Sequence, residues 1–295
     1  MYVRKKVYFC SMKTAKRYLS YIAWVLSIAA YAYIGYKLYT YDDWATLAAH
    51  LGAADGVAYV CGALAVVLMP VNMLLEAWRW QYLVGDISIS EAQRQVYFSK
   101  IAGQMTPYQL GEYPARGLLM GEPKWGSLLS LGAIGSMTMT MAIVIVGVVP
   151  TILWLTGEQM GRTELWMIGG AIVTTLLVTM LLPKLLRRWV TVSYRTVMVS
   201  IGQSMLRYLC WGIQLALVLR LCGVAWTTDW WIEIPVYYLI VTIAPSVSVA
   251  EVGVRGAAAL MVFGSMEATL AGVVLWGINS LLAMLIGSFV QKNAK

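Results

Sequence analysis

Two stretches of this chain place ionisable side chains inside otherwise apolar surroundings. One reads T-P-Y-Q-L-G-E-Y-P-A-R (106–116), the other A-P-S-V-S-V-A-E-V-G-V-R (244–255). In each, a proline is followed five or six residues later by a glutamate (Pro107 to Glu112, Pro245 to Glu251) and four residues further by an arginine (Arg116, Arg255). On a helix, a spacing of four puts both side chains on one face, with Glu N-terminal, the better orientation for an ion pair. Gly111 and Gly117 flank the first pair, Gly253 and Gly256 the second. Proline and glycine disfavour an unbroken helix. Irregular backbone at membrane depth survives only where protein or a watery cavity covers it. Arginine binds phosphate through a planar fork, so the chemistry this pattern suits is recognition of an anionic headgroup.

More charges sit in apolar runs: Glu76 and Arg79 at the end of one, Arg207 in the middle of another. An ionised side chain at a bilayer centre costs about 2.5–3.5 kcal/mol on insertion scales. Asn72, Gln104, Thr106, Gln109, Gln203, Gln214, Ser246, Ser248 and Asn279 are polar companions. Pooled, Arg79, Arg116, Arg207 and Arg255 stand against Glu76, Glu112 and Glu251, a slight positive excess. Plainer readings stand beside this one. The two Glu–Arg pairs could simply pin re-entrant hairpins, Glu76–Arg79 could anchor at the interface, and Arg207 could bond a carbonyl of a broken segment.

Other chemistries are disfavoured. The single histidine, His50, cannot build a His-rich metal site, and no phosphate-cradling glycine loop ending in Lys-Ser or Lys-Thr occurs. Cys10, Cys61, Cys210 and Cys222 are far apart and read as packing residues. No nucleophile accompanies the carboxylates, so the expectation is a protein that is not an enzyme and uses no cofactor or metal.

The elements that hold these residues are legible in the composition. Of 295 residues, 60% are hydrophobic and 12% charged, against about 45–50% and 25% in soluble domains; the mean hydropathy is +0.70. At about 20 residues per crossing, six to eight spans fit. The net charge is +8, but six of the 22 basic residues lie in the first 17 positions. That is a cytoplasmic anchor on anionic lipid, expected to remain uncleaved, and not a nucleic-acid surface. Apolar runs cover 18–39, 57–75, 127–156, 165–183, 196–224 and 268–290. A short interfacial helix is expected over 42–56, and Trp78, Trp80 and Tyr82 fit an aromatic belt. Segment 85–100 is polar and carries Arg94 and Lys100.

With the N-terminus inside, basic residues of the connecting loops fall inside if 101–121 and 234–263 each enter and leave on one side. At 30 residues, 234–263 is short for two spans. The fold expected is therefore an all-α polytopic membrane protein: about six transmembrane helices plus two re-entrant broken-helix hairpins, in a single domain over 18–291 behind the basic 1–17. Two interrupted segments entering from opposite faces mark an inverted-repeat transporter with a midplane site, although the flanking elements do not line up in order.

The pieces M-P-V-N-M-L-L-E-A-W-R-W (69–80), G-Q-M-T-P-Y-Q-L-G-E-Y-P-A-R (103–116), A-P-S-V-S-V-A-E-V-G-V-R (244–255) and W-G-I-N-S-L-L-A-M-L-I-G-S (276–288) together resemble the lysylphosphatidylglycerol synthase transmembrane-region family, the flippase-like bacterial membrane proteins. The resemblance spans roughly 20–290 and picks out Glu76, Arg79, Pro107, Gly111, Glu112, Arg116, Pro245, Glu251, Gly253 and Arg255. It implies lipid flipping in a bacterial inner membrane. The namesake enzymes carry a further aminoacyl-transferase domain; this sequence ends at Lys295, so aminoacylation is not expected. The 244–255 segment also lacks the glycine-rich run that many relatives carry after the proline. The functional expectation is a lipid flippase for an anionic or aminoacylated phospholipid or a polyprenyl-phosphate-linked lipid. The expected partners are membrane lipids, with self-association or an envelope-synthesis enzyme as further partners. The alternative is a non-transporting scaffold for such an enzyme.

Overall fold

The computed structural model describes residues 55–104, 106, 109, 111–120, 125–157, 192–244 and 251–292, with isolated helical positions at 52, 170, 173, 177 and 181. The basic segment 1–17, the run 18–39, His50, Pro107, Lys124, the loop from 184 to 191, Pro245, Ser246 and Ser248 lie outside the described residues, as do nearly all of 42–54 and of the run 165–183.

Every described element is a helix. They are α1 (Gly56–Val84), α2 (Ile89–Gln104), α3 (Glu112–Leu118), α4 (Trp125–Gly157), α5 (Tyr194–Leu221), α6 (Trp230–Ile243), α7 (Glu251–Phe263), α8 (Met266–Trp276), a π-helical turn π1 (Gly277–Leu282) and α9 (Ala283–Lys292). Four stretches are long and apolar enough to cross a membrane: Gly56–Val84, Gly126–Gly157, Tyr194–Leu221 and Met266–Phe289. At 1.5 Å per residue, the 29 residues of α1 reach about 43 Å, more than the roughly 30 Å of a hydrocarbon core.

Local chemistry sets the ends. The Asp55 side chain caps α1 by accepting from the Ala58 amide at 2.8 Å, filling a donor the first turn leaves open. The chain leaves α1 through Gly85 at φ 93°, a conformation that favours glycine. Ser193 caps α5 and Ser265 caps α8 in the same way as Asp55.

The outer faces are apolar. Val57, Val60, Leu64, Val67, Val71 and Leu74 are exposed and form one helical stripe along α1; Leu206, Leu209 and Ile213 do the same on α5. Polar residues go inward instead, which suits a lipid surround. Helix α1 packs on α5, α2 on α9, and α4 on α6. Two cores result. One joins α5, α6 and α8 through Leu215, Leu219, Tyr237, Leu239 and Leu275; the other joins α1, α2 and α9 through Met69, Met73, Trp80, Val96 and Ala283. Glycine permits the closest approach: a Cβ at Gly287 would lie 2.3 Å from the Tyr97 carbonyl oxygen, bringing α9 against the α2 backbone.

The structure corrects several expectations. The helix around the second run continues through 76–84, and Glu76 and Arg79 are buried against neighbouring helices. Trp80 is buried and donates to Gln95 at 2.8 Å, while Trp78 and Tyr82 remain exposed. The polar segment 85–100 is mostly helix α2. Among the described residues the elements recur in order. Long α1, short α2, short α3 beginning at Glu112 and long α4 recur as long α5, short α6, short α7 beginning at Glu251 and the continuous α8–π1–α9. Packing repeats as well, since α2 touches α9 as α6 touches α4.

Candidate functional site

Residues three and four apart share a helix face. On α1 that face carries Asn72, Glu76 and Arg79; on α5 it carries Ser200, Ser204, Arg207, Trp211 and Gln214. The two faces meet. Arg79 donates to Ser204 at 2.9 Å, Arg207 Nε to Asn72 at 2.8 Å and Gln214 to the Ala65 carbonyl at 2.8 Å. Partner numbers fall on α5 as they rise on α1, so the two helices run antiparallel.

Glu76 is the hub. Its Oε1 accepts from Arg116 at 2.7 Å, and its Oε2 accepts from Arg79 at 2.7 Å and from Arg207. Three arginines from α1, α3 and α5 thus share one carboxylate. Arg116 is 1% exposed. It also reaches Glu112 at 3.1 Å and Ser99 at 3.2 Å, and its guanidinium lies over Trp80 and Tyr113 at 4.8 and 5.5 Å. Those ring faces attract the cation in a desolvated setting. Tyr113 in turn bonds Ser136 of α4.

Lys100 of α2 completes the cluster, its Nζ 2.5 Å from Glu112 Oε1. The tight α2–α3 connection makes this possible. A Cβ at Gly103 would meet Glu112 at 2.5 Å, and one at Gly111 would meet the Ala102 carbonyl at the same distance. Thr106 stitches the turn, donating to Ala102 O and accepting from the Gly111 amide at 2.7 Å.

The second segment forms its own pair. Arg255 donates to Glu251 Oε1 through Nε at 3.0 Å and NH2 at 2.6 Å. Gln109, held at φ 55°, donates to Glu251 Oε2 at 3.1 Å and ties the two broken segments together. A non-glycine residue there is strained, a condition that clusters at functional sites. Asn279 lies on π1 and donates to Gln214 at 2.8 Å while accepting from Asn72 at 3.3 Å. Single π turns inside helices are frequent at functional sites.

These groups surround a cavity of about 320 Å³. Its polar wall includes Asn72, Glu76, Arg79, Lys100, Gln109, Glu112, Arg207, Glu251, Arg255 and Asn279; Met139, Ile143, Trp211, Val241 and Leu275 form an apolar side. Arg116 stands behind that wall and Thr106 within the turn; the Gln104 side chain lies outside the described residues. Ten of the sixteen charged and polar residues singled out from sequence therefore meet at the cavity or directly behind it. Sequence reasoning missed Lys100, Tyr113 and the Ser99, Ser204 and Gln95 supports. The signal was present, because Ala92, Gln95, Val96, Ser99, Lys100 and Gly103 trace one buried helical stripe.

Five basic side chains, those of Arg79, Lys100, Arg116, Arg207 and Arg255, stand against three carboxylates. Among the described residues no group of three His, Cys, Asp or Glu side chains is placed to hold a metal ion. What the arrangement can do is hold an anion in a desolvated, hydrogen-bonding pocket. Comparison of the chain with protein-family models, curated proteins and solved structures found no match in any of the three.

Proposed function

We propose that this chain is a multi-pass protein of a bacterial inner membrane that moves a lipid with an anionic headgroup across the bilayer. One observation carries the reading: a cavity whose wall carries four cations against three carboxylates, with a fifth cation, Arg116, directly behind it, set among helices whose outer faces are apolar. A static structural core gains nothing from an unbalanced charge, because uncompensated buried ions are costly. An anion-binding site needs that imbalance.

In this reading the runs 18–39 and 165–183 join the four long helices to give six crossings with the N-terminus in the cytoplasm. Segments α2–α3 and α6–α7 are the re-entrant hairpins, the first dipping from the cytoplasm and the second from outside. The 14 residues of α6 and 13 of α7 reach only about 21 and 20 Å, which suits half-helices. Antiparallel α1 and α5, each opening the same order of elements, support an inverted repeat with its site at the repeat interface.

Arg207, Lys100 and Arg255 hold the headgroup while acyl chains stay in lipid. Glu76 and Glu112 orient the basic groups, and Gln109–Glu251 is the contact that the two hairpins break and remake as access alternates. The test is translocation in proteoliposomes of purified protein. Labelled phosphatidylglycerol, lysyl-phosphatidylglycerol and a polyprenyl phosphate are compared against Glu112→Gln and Arg255→Ala proteins. Movement of one lipid class, lost in both variants, is the expected result. No movement of any lipid by protein shown to be folded would sink the reading.

A further inference from the structure

The charge count and donor geometry narrow the headgroup, an inference that rests on the reading just given. Counting Arg116 behind the wall, five basic side chains are paired with Glu76, Glu112 and Glu251, an excess of two positive charges in this ion-pair network. Burial makes that excess costly while the cavity holds no anion, so the ligand that balances it best gains most. A phosphodiester such as phosphatidylglycerol brings one negative charge. A phosphate monoester brings about 1.5 to 2 at pH 7 and offers three terminal oxygens.

Three basic side chains are available to such oxygens. Lys100, Arg207 and Arg255 reach the cavity from α2, α5 and α7, three separate elements. Lys100 uses one ammonium hydrogen bond, on Glu112, of the three it can donate. Arg207 uses Nε on Asn72 and one terminal nitrogen on Glu76, which leaves its other terminal nitrogen for a ligand. The volume, about 320 Å³, is at the lower end of the roughly 300–1,000 Å³ of small-ligand sites. That favours a compact headgroup over one extended by a sugar or an amino acid. We propose that the cavity selects a lipid phosphate monoester in its dianionic form over a phosphodiester.

The experiment is equilibrium binding to the purified full chain, comparing phosphatidic acid with phosphatidylglycerol of identical acyl chains, and with glycerol 3-phosphate as a soluble monoester. At about pH 8, phosphatidic acid should bind about tenfold or more tighter than phosphatidylglycerol, the effect of one extra buried charge. That preference should shrink toward about pH 5 as the monoester loses its second charge, near pH 6, while phosphatidylglycerol serves as the control for titration of the protein. Lys100→Gln lowers the excess to one and should reduce the preference; Arg255→Gln makes the same change from the other hairpin and should do likewise. Phosphatidylglycerol binding as tightly as phosphatidic acid at the higher pH, with binding lost in Arg207→Ala, would overturn the selectivity and leave the headgroup site standing. Absence of binding by any anionic lipid would overturn both. Glycerol 3-phosphate binding as tightly as phosphatidic acid would uphold the monoester and overturn the lipid as its source.

Discussion

Replacing Glu76 by glutamine removes the one carboxylate that three arginines share. The substituted amide keeps a single acceptor oxygen and turns an NH2 donor toward guanidinium donors. Arg116 donates to Oε1 at 2.7 Å, whereas Arg79 and Arg207 both converge on Oε2, so at least one arginine loses its partner whichever way the amide points. Removing one member of a buried ion pair costs about 3–5 kcal/mol. The loss does not triple, because each arginine keeps a second partner: Ser204 for Arg79, Glu112 for Arg116 and Asn72 for Arg207. Glu76→Gln should therefore lower stability by about 3–5 kcal/mol, a large share of the 5–15 kcal/mol typical of folded proteins. Reversible unfolding in mixed micelles measures it. The Glu76→Gln/Arg207→Gln double variant removes both partners and should recover about 1–3 kcal/mol relative to the sum of the singles. A loss below about 1 kcal/mol for Glu76→Gln, or strict additivity in the cycle, would refute the hub.

Other substitutions separate the buried network from the periphery. Asp55 caps α1 and pairs with Arg220 at 2.8 Å across exposed surface; Asp55→Ala should cost only about 1 kcal/mol, nearly all of it from the cap, so Arg220→Ala should cost less in the same unfolding assay. Gly287→Ala drives a Cβ to 2.3 Å from the Tyr97 carbonyl oxygen; the backbone of α2 cannot yield as a side chain would, so the loss should be about 1–3 kcal/mol and Gly287→Ser should be at least as costly. Arg116→Lys keeps the charge but loses the fork to Glu76, Glu112 and Ser99 and the stacking on Trp80. Stability should fall by about 1–3 kcal/mol, and headgroup binding should weaken less than in Arg207→Ala, because Arg116 stands behind the cavity wall.

Much of the site was legible because its first contacts are local. The spacing Glu112–Arg116 and Glu251–Arg255 implied ion pairs on one helical turn, and both pairs form. Asn72, Glu76 and Arg79 stand at helical spacing, yet that spacing alone does not say whether such a face meets water, headgroups or protein. For Glu76 and Arg79 the structure answers with protein: α1 continues to Val84, and α5 covers that face. Lys100 was passed over for the opposite reason. Segment 89–104 is polar on average, yet its buried stripe turns Lys100 onto Glu112.

Composition and periodicity were enough to establish long apolar helices, their breaks near Pro107 and Pro245, and which residues carry charge into them, because helix formation and i,i+4 pairing depend on neighbours in the chain. Tertiary structure decided that Glu76 meets Arg116 and Arg207, 40 and 131 residues away. It also decided that Gln109 reaches Glu251 and that a π turn carries Asn279 to Gln214 and Asn72. Helical periodicity sets the direction in which a side chain points, whereas its partner depends on how two helices pack. For α1 and α5 that packing is antiparallel and places both polar stripes in one buried seam.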